Sequence, residues 1–264
     1  MKKMKTKIII SRRIEELFNL KIKDWLIENN IHHKEIDNFP HYLKESDLKN
    51  DDAEFFIAVN IHSLADYPKQ FCVHAPGNWG ELWPHPKFKH LGGEKNKLSK
   101  SSAKLLKEVY ISLLKNNNLS DYKVNIECTH HGPNISKPLV FLEIGCSPNE
   151  WSDNNALNVI KKVILEVQNI NSIERQTSIV LGGGHYMKNI QELLKKDNVQ
   201  ISHMCPSSQI HNLTPEIIKE AIDKSHEKVD NFIIDLEGVG QHKDKILDLL
   251  KETNQEYIFM HEIL

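Results

Sequence analysis

The sequence predicts an α/β fold, a mixed, largely parallel sheet flanked by helices. Three observations carry that prediction. Short apolar runs alternate with amphipathic stretches through the second half of the chain, the pattern of strand–helix units feeding a parallel sheet. The chain has 264 residues, enough to bury a sizeable core without a disulfide or metal merely to fold. Its composition is that of an ordinary globular protein, 39% hydrophobic and 27% charged, with 34 Lys and Arg against 36 Asp and Glu. That near-balance argues against disorder and excludes a globally basic nucleic-acid binder, so any nucleic-acid contact must come from a local patch.

The first strand is expected near Lys7, followed by a helix from about Arg12 to Glu28 that Ser11 could cap, with Ile14, Leu17, Phe18, Ile22, Trp25 and Leu26 on one face. Residues 54 to 61 (EFFIAVNI) and 70 to 74 read as strands, and 99 to 115 as a helix. Strands are expected at 122 to 128 and 139 to 144, flanking the loop THHGPNISK. Pro148 suits the first turn of a helix running to about Gln168. Then come a strand at 178 to 181, a Gly-rich turn, a helix at 188 to 195 and a strand at 199 to 203. A helix opened by Pro215, a strand at 232 to 235, a helix at 243 to 250 and a strand at 257 to 260 complete the alternation. One stretch breaks it: residues 76 to 100 hold Pro76, Pro84 and Pro86 with four glycines, a long irregular segment of the kind that is usually functional or disordered. No clean linker divides the chain. A single domain over 1–264 is expected, with a subdomain around 62–120 left open.

No apolar run approaches the roughly 18 residues that span a bilayer. The basic start MKKMKTKIIISRR contains only Ile8 to Ile10 before Arg12, too short for a secretory signal, so a cytoplasmic chain is expected. The four cysteines form no CxxC pair, which argues against a disulfide framework.

The 15 histidines are the unusual component. His62, His74, His130, His131, His185 and His203 fall at or near the ends of expected strands. In open α/β sheets such ends converge on a ligand crevice, where imidazoles could hold a metal. Any single histidine is more often structural or a substrate contact than a metal ligand, and the spacing is no short-range zinc signature. His130 and His131 are adjacent on a turn and point in different directions. Glu143 closes the next strand as a ligand, a general base or the partner that orients a histidine, unless it merely faces water. GGGHY (182–186) links a strand to a helix. Its glycines let backbone approach a ligand, though a tight turn alone would explain them, and it is neither GxGxxG nor a P-loop, so a nucleotide cofactor is not expected. In HAPGNWG (74–80), Asn78 and Trp79 could bond to and stack on a base, or the loop is simply packed. From Lys87 to Lys107, seven lysines (87, 89, 95, 97, 100, 104, 107) face one acid, Glu94: a patch for phosphates, or a solvated helix face.

In order, NIHS, HAPGNWG, THHGP, FLEIGCSPNEW, GGGHY and HMCP together resemble the archaeal and plant type of D-aminoacyl-tRNA deacylase, from about residue 54 to 260. THHGP with GGGHY at this separation is the specific part. The resemblance implies hydrolysis of the ester joining a D-amino acid to the terminal ribose of tRNA, releasing both for reuse in chiral proofreading. It also implies an α/β domain reminiscent of nucleoside phosphorylases and peptidyl-tRNA hydrolases, two zinc ions per chain and a monomer. Departures are Asn60 where Arg is often seen, Met187-Lys188 for Ala-Pro after GGGHY, and Cys146 for a common Ser; the first bears on one phosphate or substrate contact.

On this reading His130, His131, Glu143 and His185 are the expected catalytic residues. His62, His74, His131, His185 and His203 are the expected zinc ligands. Asn78, Trp79, Gly183, Gly184 and Tyr186 contact the substrate end, and Lys97, Lys100 and Lys104 hold tRNA phosphates. A peptidyl-tRNA hydrolase and a non-catalytic zinc-stabilised tRNA-binding module are the competing readings. In a variant of the mechanism, the neighbouring ribose hydroxyl carries the proton and zinc is structural or absent.

Overall fold

A computed structural model describes residues 5–13, 16–63, 67–83, 90–168 and 173–264. Ile14, Pro84, Pro86, Lys87 and Lys89, named above, lie outside the described residues. The first half runs β1 (Thr6–Ser11), α1 (Glu16–Glu28), β2 (His33–Ile36), α2 (Glu45–Leu48), β3 (Phe55–Ser63), β4 (Gln70–His74), β5 (Gly77–Asn78), β6 (Lys97–Leu98), α3 (Ala103–Asn116), β7 (Lys123–Ile126) and β8 (Leu139–Cys146). The second half runs α4 (Pro148–Ser152), α5 (Asn154–Val167), β9 (Gln176–Leu181), α6 (Lys188–Lys195), β10 (Val199–Cys205), α7 (Pro215–Asp223), β11 (Asn231–Ile234), α8 (Leu236–Val239), α9 (Lys243–Glu252) and β12 (Tyr257–Phe259).

The strands form two main sheets. The larger has the order β2-β1-β3-β8-β4-β7, and the smaller, β10-β9-β11-β12, is parallel throughout. In the larger sheet β4 runs antiparallel to β8, and β7 runs parallel to β4. A hairpin-like pair, β5 with β6, stands apart. The mixed, mainly parallel α/β architecture is as the alternation predicts. The helix expected from Pro148 to Gln168 is two helices: the Asp153 carboxylate accepts from the Asn155 and Ala156 N–H groups and so starts a new one, a turn-and-cap signal placed inside a helical pattern.

Register decides which side chains share a face. β3 aligns Asn60 with Glu143 and His62 with Gly145, and β4 aligns Cys72 with Glu143 and Gln70 with Gly145. Side chains alternate along a strand. One face of the sheet therefore carries Asn60, His62, Gln70, Cys72, His74, Asn125 and Glu143, and the other carries Ile57, Val59, Phe71, Val73, Val140, Leu142 and Ile144. That second face packs in the main core with α3, α5 and residues of the smaller sheet such as Val180, Ile201 and Ile233. α3 lies against both α5 and β10, and so ties the two sheets together. Ser102 caps it by accepting from Leu105 N–H. Buried Lys107 donates from Nζ to the carbonyls of Lys196 and Val199.

Candidate functional site

The histidines do not meet in a crevice beyond one set of strand ends. Because β4 and β7 run against β3 and β8, His62 and His74 sit at opposite ends of their neighbours' register, His62 beside Gly145 and His74 beside Phe141. They belong to one site because they share a face, and the segment after β7 folds across that face. Cys128 N–H donates to the His185 carbonyl and Thr129 N–H to the Met204 carbonyl, so the segment also stitches this face to the loop after β9.

Three imidazoles form a tight cluster. Ring centroids of His74 and His130 are 4.2 Å apart, of His130 and His131 4.5 Å, and of His74 and His131 4.7 Å. A ring nitrogen of each lies within 4.8 Å of the other two. Each Nδ1 faces a backbone carbonyl: Ala75 O at 3.2 Å from His74, Cys128 O at 2.8 Å from His130, Gly132 O at 2.6 Å from His131. A carbonyl only accepts, so each Nδ1 carries a proton, and in the neutral imidazole the lone pair is then on Nε2. Burial, and then the neighbouring histidines, hold His130 and His131 well below the ordinary histidine range. His131 has φ 45°, a left-handed conformation costly for a non-glycine residue and frequent at functional sites.

A second group centres on Glu127, which is fully buried. Its Oε1 accepts from Nε2 of His62 at 3.0 Å and from Nε2 of His185 at 3.1 Å. Burial alone would raise the carboxyl's pKa, but the two imidazoles hold it well below the usual range. Burial alone would lower that of His62, but Glu127 outweighs it and pushes it up to about 11. His62 Nδ1 faces Cys146 Sγ at 3.7 Å. The His185 side chain is 31% exposed and is the part of this group that reaches solvent. Between the groups, Glu143 Oε1 accepts from Asn60 Nδ2 at 2.7 Å and lies 3.9 Å from His74 Nε2.

These residues fit a divalent metal. His74 Nε2 and Glu127 Oε2 are buried without a hydrogen-bond partner among the described residues, in a structure where such atoms are costly. Neutral imidazoles with Nδ1 pinned by carbonyls are the usual state of zinc ligands. His74 with Glu127 and Glu143 is a further grouping of ligand atoms within the same distance.

Other expected residues lie elsewhere. His203 is fully buried, with Nδ1 3.4 Å from Thr129 Oγ1 and Nε2 3.3 Å from the Lys224 carbonyl, and belongs to none of the described metal groupings. Trp79 is 1% exposed and its indole N–H donates to Met204 O at 3.1 Å; it is a core residue with no face left for a base. Asn78 is buried and binds the carbonyls of Gly92 and Glu94. Gly183, at φ 95°, lets its carbonyl accept from Ser207 N–H at 2.8 Å, and Gly184 is exposed beside the cluster. The Tyr186 hydroxyl accepts from Gln70 Nε2 at 2.8 Å. Among the lysines, Lys97 lies 3.5 Å from Glu220, Lys100 donates to the carbonyls of Asp223 and Ser225, and Lys104 is half-buried. The patch is partly consumed by contacts within the chain.

Glu127 and Trp83 join the site without standing out in the sequence. Asn125 and Glu127 alternate as Asn60 and His62 do, and that parity is the signal that finds Glu127. Trp83, whose N–H donates to Asn78 Oδ1 at 3.2 Å, has no such signal.

Fold and site together define a class: a two-sheet α/β protein whose histidine–carboxylate centre, buried on one sheet face, reaches solvent through an imidazole from the other sheet. The family model of D-aminoacyl-tRNA deacylase matches residues 49–258, and the chain belongs to that family. Curated relatives named D-aminoacyl-tRNA deacylase include those of Thermoplasma volcanium, 27% identical over 82% of this chain and 79% of theirs, and Thermococcus onnurineus, 29% identical over 78% and 73%. The relative from Archaeoglobus fulgidus is 28% identical over 80% of this chain and 74% of its own. The crystal structure of a conserved protein of unknown function has the same fold, with a TM-score of 0.87 and 24% identity, covering 100% of this chain and 98% of that one.

Proposed function

We infer that this chain hydrolyses the ester of D-aminoacyl-tRNA, releasing the D-amino acid and the tRNA. The family match over residues 49–258 carries the reading, and the histidine–carboxylate centre agrees with it. An aminoacyl ester is already activated, so the chemistry needs an oriented water, a base for its proton and a stabilised oxyanion. Glu127 holds Nε2–H of His185, which leaves Nδ1 as the basic atom. That atom is 3.4 Å from Cys128 Sγ, a weak donor that an attacking water displaces. The His62 imidazolium keeps Glu127 ionised. His74, His130 and His131, with Glu143 beside them, would hold a divalent metal, zinc by the chemistry of the set, which when bound polarises the carbonyl and acidifies a water. Two zinc ions per chain belong to the same proposal, as do a monomer, a single-domain organisation over 1–264 and a cytoplasmic location. Among the described residues no helix is long and apolar enough to cross a membrane.

The test is deacylation of D-Tyr-tRNA and L-Tyr-tRNA by purified protein, with and without a zinc chelator. Loss of the D ester alone, abolished by chelation and restored by zinc, is expected. Selective loss that survives complete metal removal would keep the activity and sink the metal role; loss of neither ester would sink the activity.

A further inference from the structure

Four rings run out of the site to the surface. Trp83 stacks on His185 with ring centroids 5.5 Å apart and planes 28° from parallel, and its ring lies 4.9 Å from that of His130. Tyr186 follows, 5.1 Å from His185, and Tyr67 lies 5.9 Å from Tyr186. The Trp83 backbone and the Tyr186 ring are anchored from behind. Asn78 accepts the Trp83 N–H, Leu91 N–H donates to the Trp83 carbonyl at 3.0 Å, and Gln70 holds the Tyr186 hydroxyl. Their outer sides are open: Tyr67 is 49% exposed, and Trp83 and Tyr186 are half-buried. Large rings fixed in place and left partly in water suit a planar partner.

We propose that the strip of Trp83, Tyr186 and Tyr67 stacks the unpaired bases at the 3′ end of the tRNA, with the terminal base nearest Trp83. This rests on the deacylase reading. The ester to be cut is carried by the terminal ribose, so the base on that sugar must lie close to wherever the ester sits, and the strip begins at His185 itself. Two planar groups could use it: the terminal base, or the side chain of an aromatic D-amino acid. The base is present on every substrate of an aminoacyl-tRNA deacylase, whereas an aromatic side chain is not. Stacking on aromatic side chains is the sequence-tolerant way to hold a single strand.

Steady-state kinetics on D-Ala-tRNA and D-Tyr-tRNA test this with Trp83→Ala, Trp83→Phe and Tyr67→Ala. The alanine variants are expected to raise KM about 10- to 100-fold on both substrates, the range of one lost base stack, with the effect on KM rather than kcat and largely recovered in Trp83→Phe. Tyr67→Ala, at an exposed position, keeps the test sound should Trp83→Ala fold poorly. An unchanged KM overturns the proposal. So does an effect confined to D-Tyr-tRNA, which would make the strip a side-chain pocket, and so does a fall in kcat alone, which would make Trp83 a prop for His185. A binding readout separates this from the activity. Uncharged tRNA is expected to quench tryptophan fluorescence, less so when its terminal adenosine is removed and less so in Trp83→Phe. Quenching without any deacylation would defeat the deacylase reading while keeping the stacking site.

Discussion

Glu127 is where the charge of the site is decided. It is fully buried and survives as a carboxylate because two imidazoles donate to one of its oxygens. Glu127→Gln keeps the volume but removes the charge. It is expected to lower kcat by about 100-fold or more, the scale of a general-base contribution, while sparing tRNA binding. The same variant should bring the His62 titration down from about 11, since Glu127 is what outweighs burial there; an NMR pH titration of the His62 ring reads this directly. A His62 titration that stays put would show that the two groups are not coupled. His130, His131, His185 and Glu143 stand out in the sequence as histidines and a glutamate near expected strand ends, although Glu143 lies in the middle of β8. Glu127 does not, because beside a pair of histidines it reads as one more surface acid. Only the parity of Asn125 and Glu127, matching that of Asn60 and His62, marks it as inward-facing.

Among the elements, most helices and strands can be located because each has an apolar stripe or run, which Ser102, Asp153 and Thr214 reinforce with caps at α3, α5 and α7. Exceptions have local causes. β2, His33–Ile36, is four residues with a single buried side chain, too little pattern to register. The segment Phe39–Tyr42 carries no periodicity either, yet it packs on the site: the His41 ring lies 5.7 Å from that of His131. Gly92, Gly93 and Gly132 make that approach feasible, because a Cβ on Gly132 would run into Gly93 N and the His41 carbonyl. Gly132→Ala is therefore expected to destabilise the fold by about 1–3 kcal/mol, the usual cost of overpacking, and to lower activity by displacing His131. Thermal melts beside deacylation rates check both; a variant with an unaltered melting temperature would show that the segment gives way freely.

For the whole molecule, strand–helix alternation reveals an α/β fold but neither its division into two sheets nor the reversal of β4 and β7, because neither strand order nor strand direction leaves a mark on the hydrophobic pattern. The reversal of β4 and β7 is also why the strand-end rule misplaces the site. His203, expected as a ligand, instead stands in the structure beside Thr129, where the two sheets join. Burial lowers its pKa from 6.5 to about 4. Its sign is that of a base depressed by folding: above 6.5 the group is neutral in both states and costs nothing. As pH falls from 6.5 toward 4 the unfolded chain takes up the proton first, so stability is lost. The loss reaches about 3 kcal/mol. Urea unfolding across that range should show a steep acid limb in the wild type and a shallower one in His203→Gln; parallel limbs would remove His203 as its source.

The stitching of residues 128 and 129 to the second sheet carries a consequence for the timing of synthesis. A chain emerging from the ribosome at roughly 5–20 residues per second folds its N-terminal part first. His62, His74, Glu127, His130, His131 and Glu143 are all exposed to the cell before His185 has been made. On the assignments above, the nascent polypeptide carries a metal-binding surface and an ionised carboxylate but no working base. If His185 is the base proposed above, ester cleavage would begin only when β9 to β12 have assembled and brought that imidazole into place, and a truncated translation product would be chemically silent toward the aminoacyl-tRNAs around it.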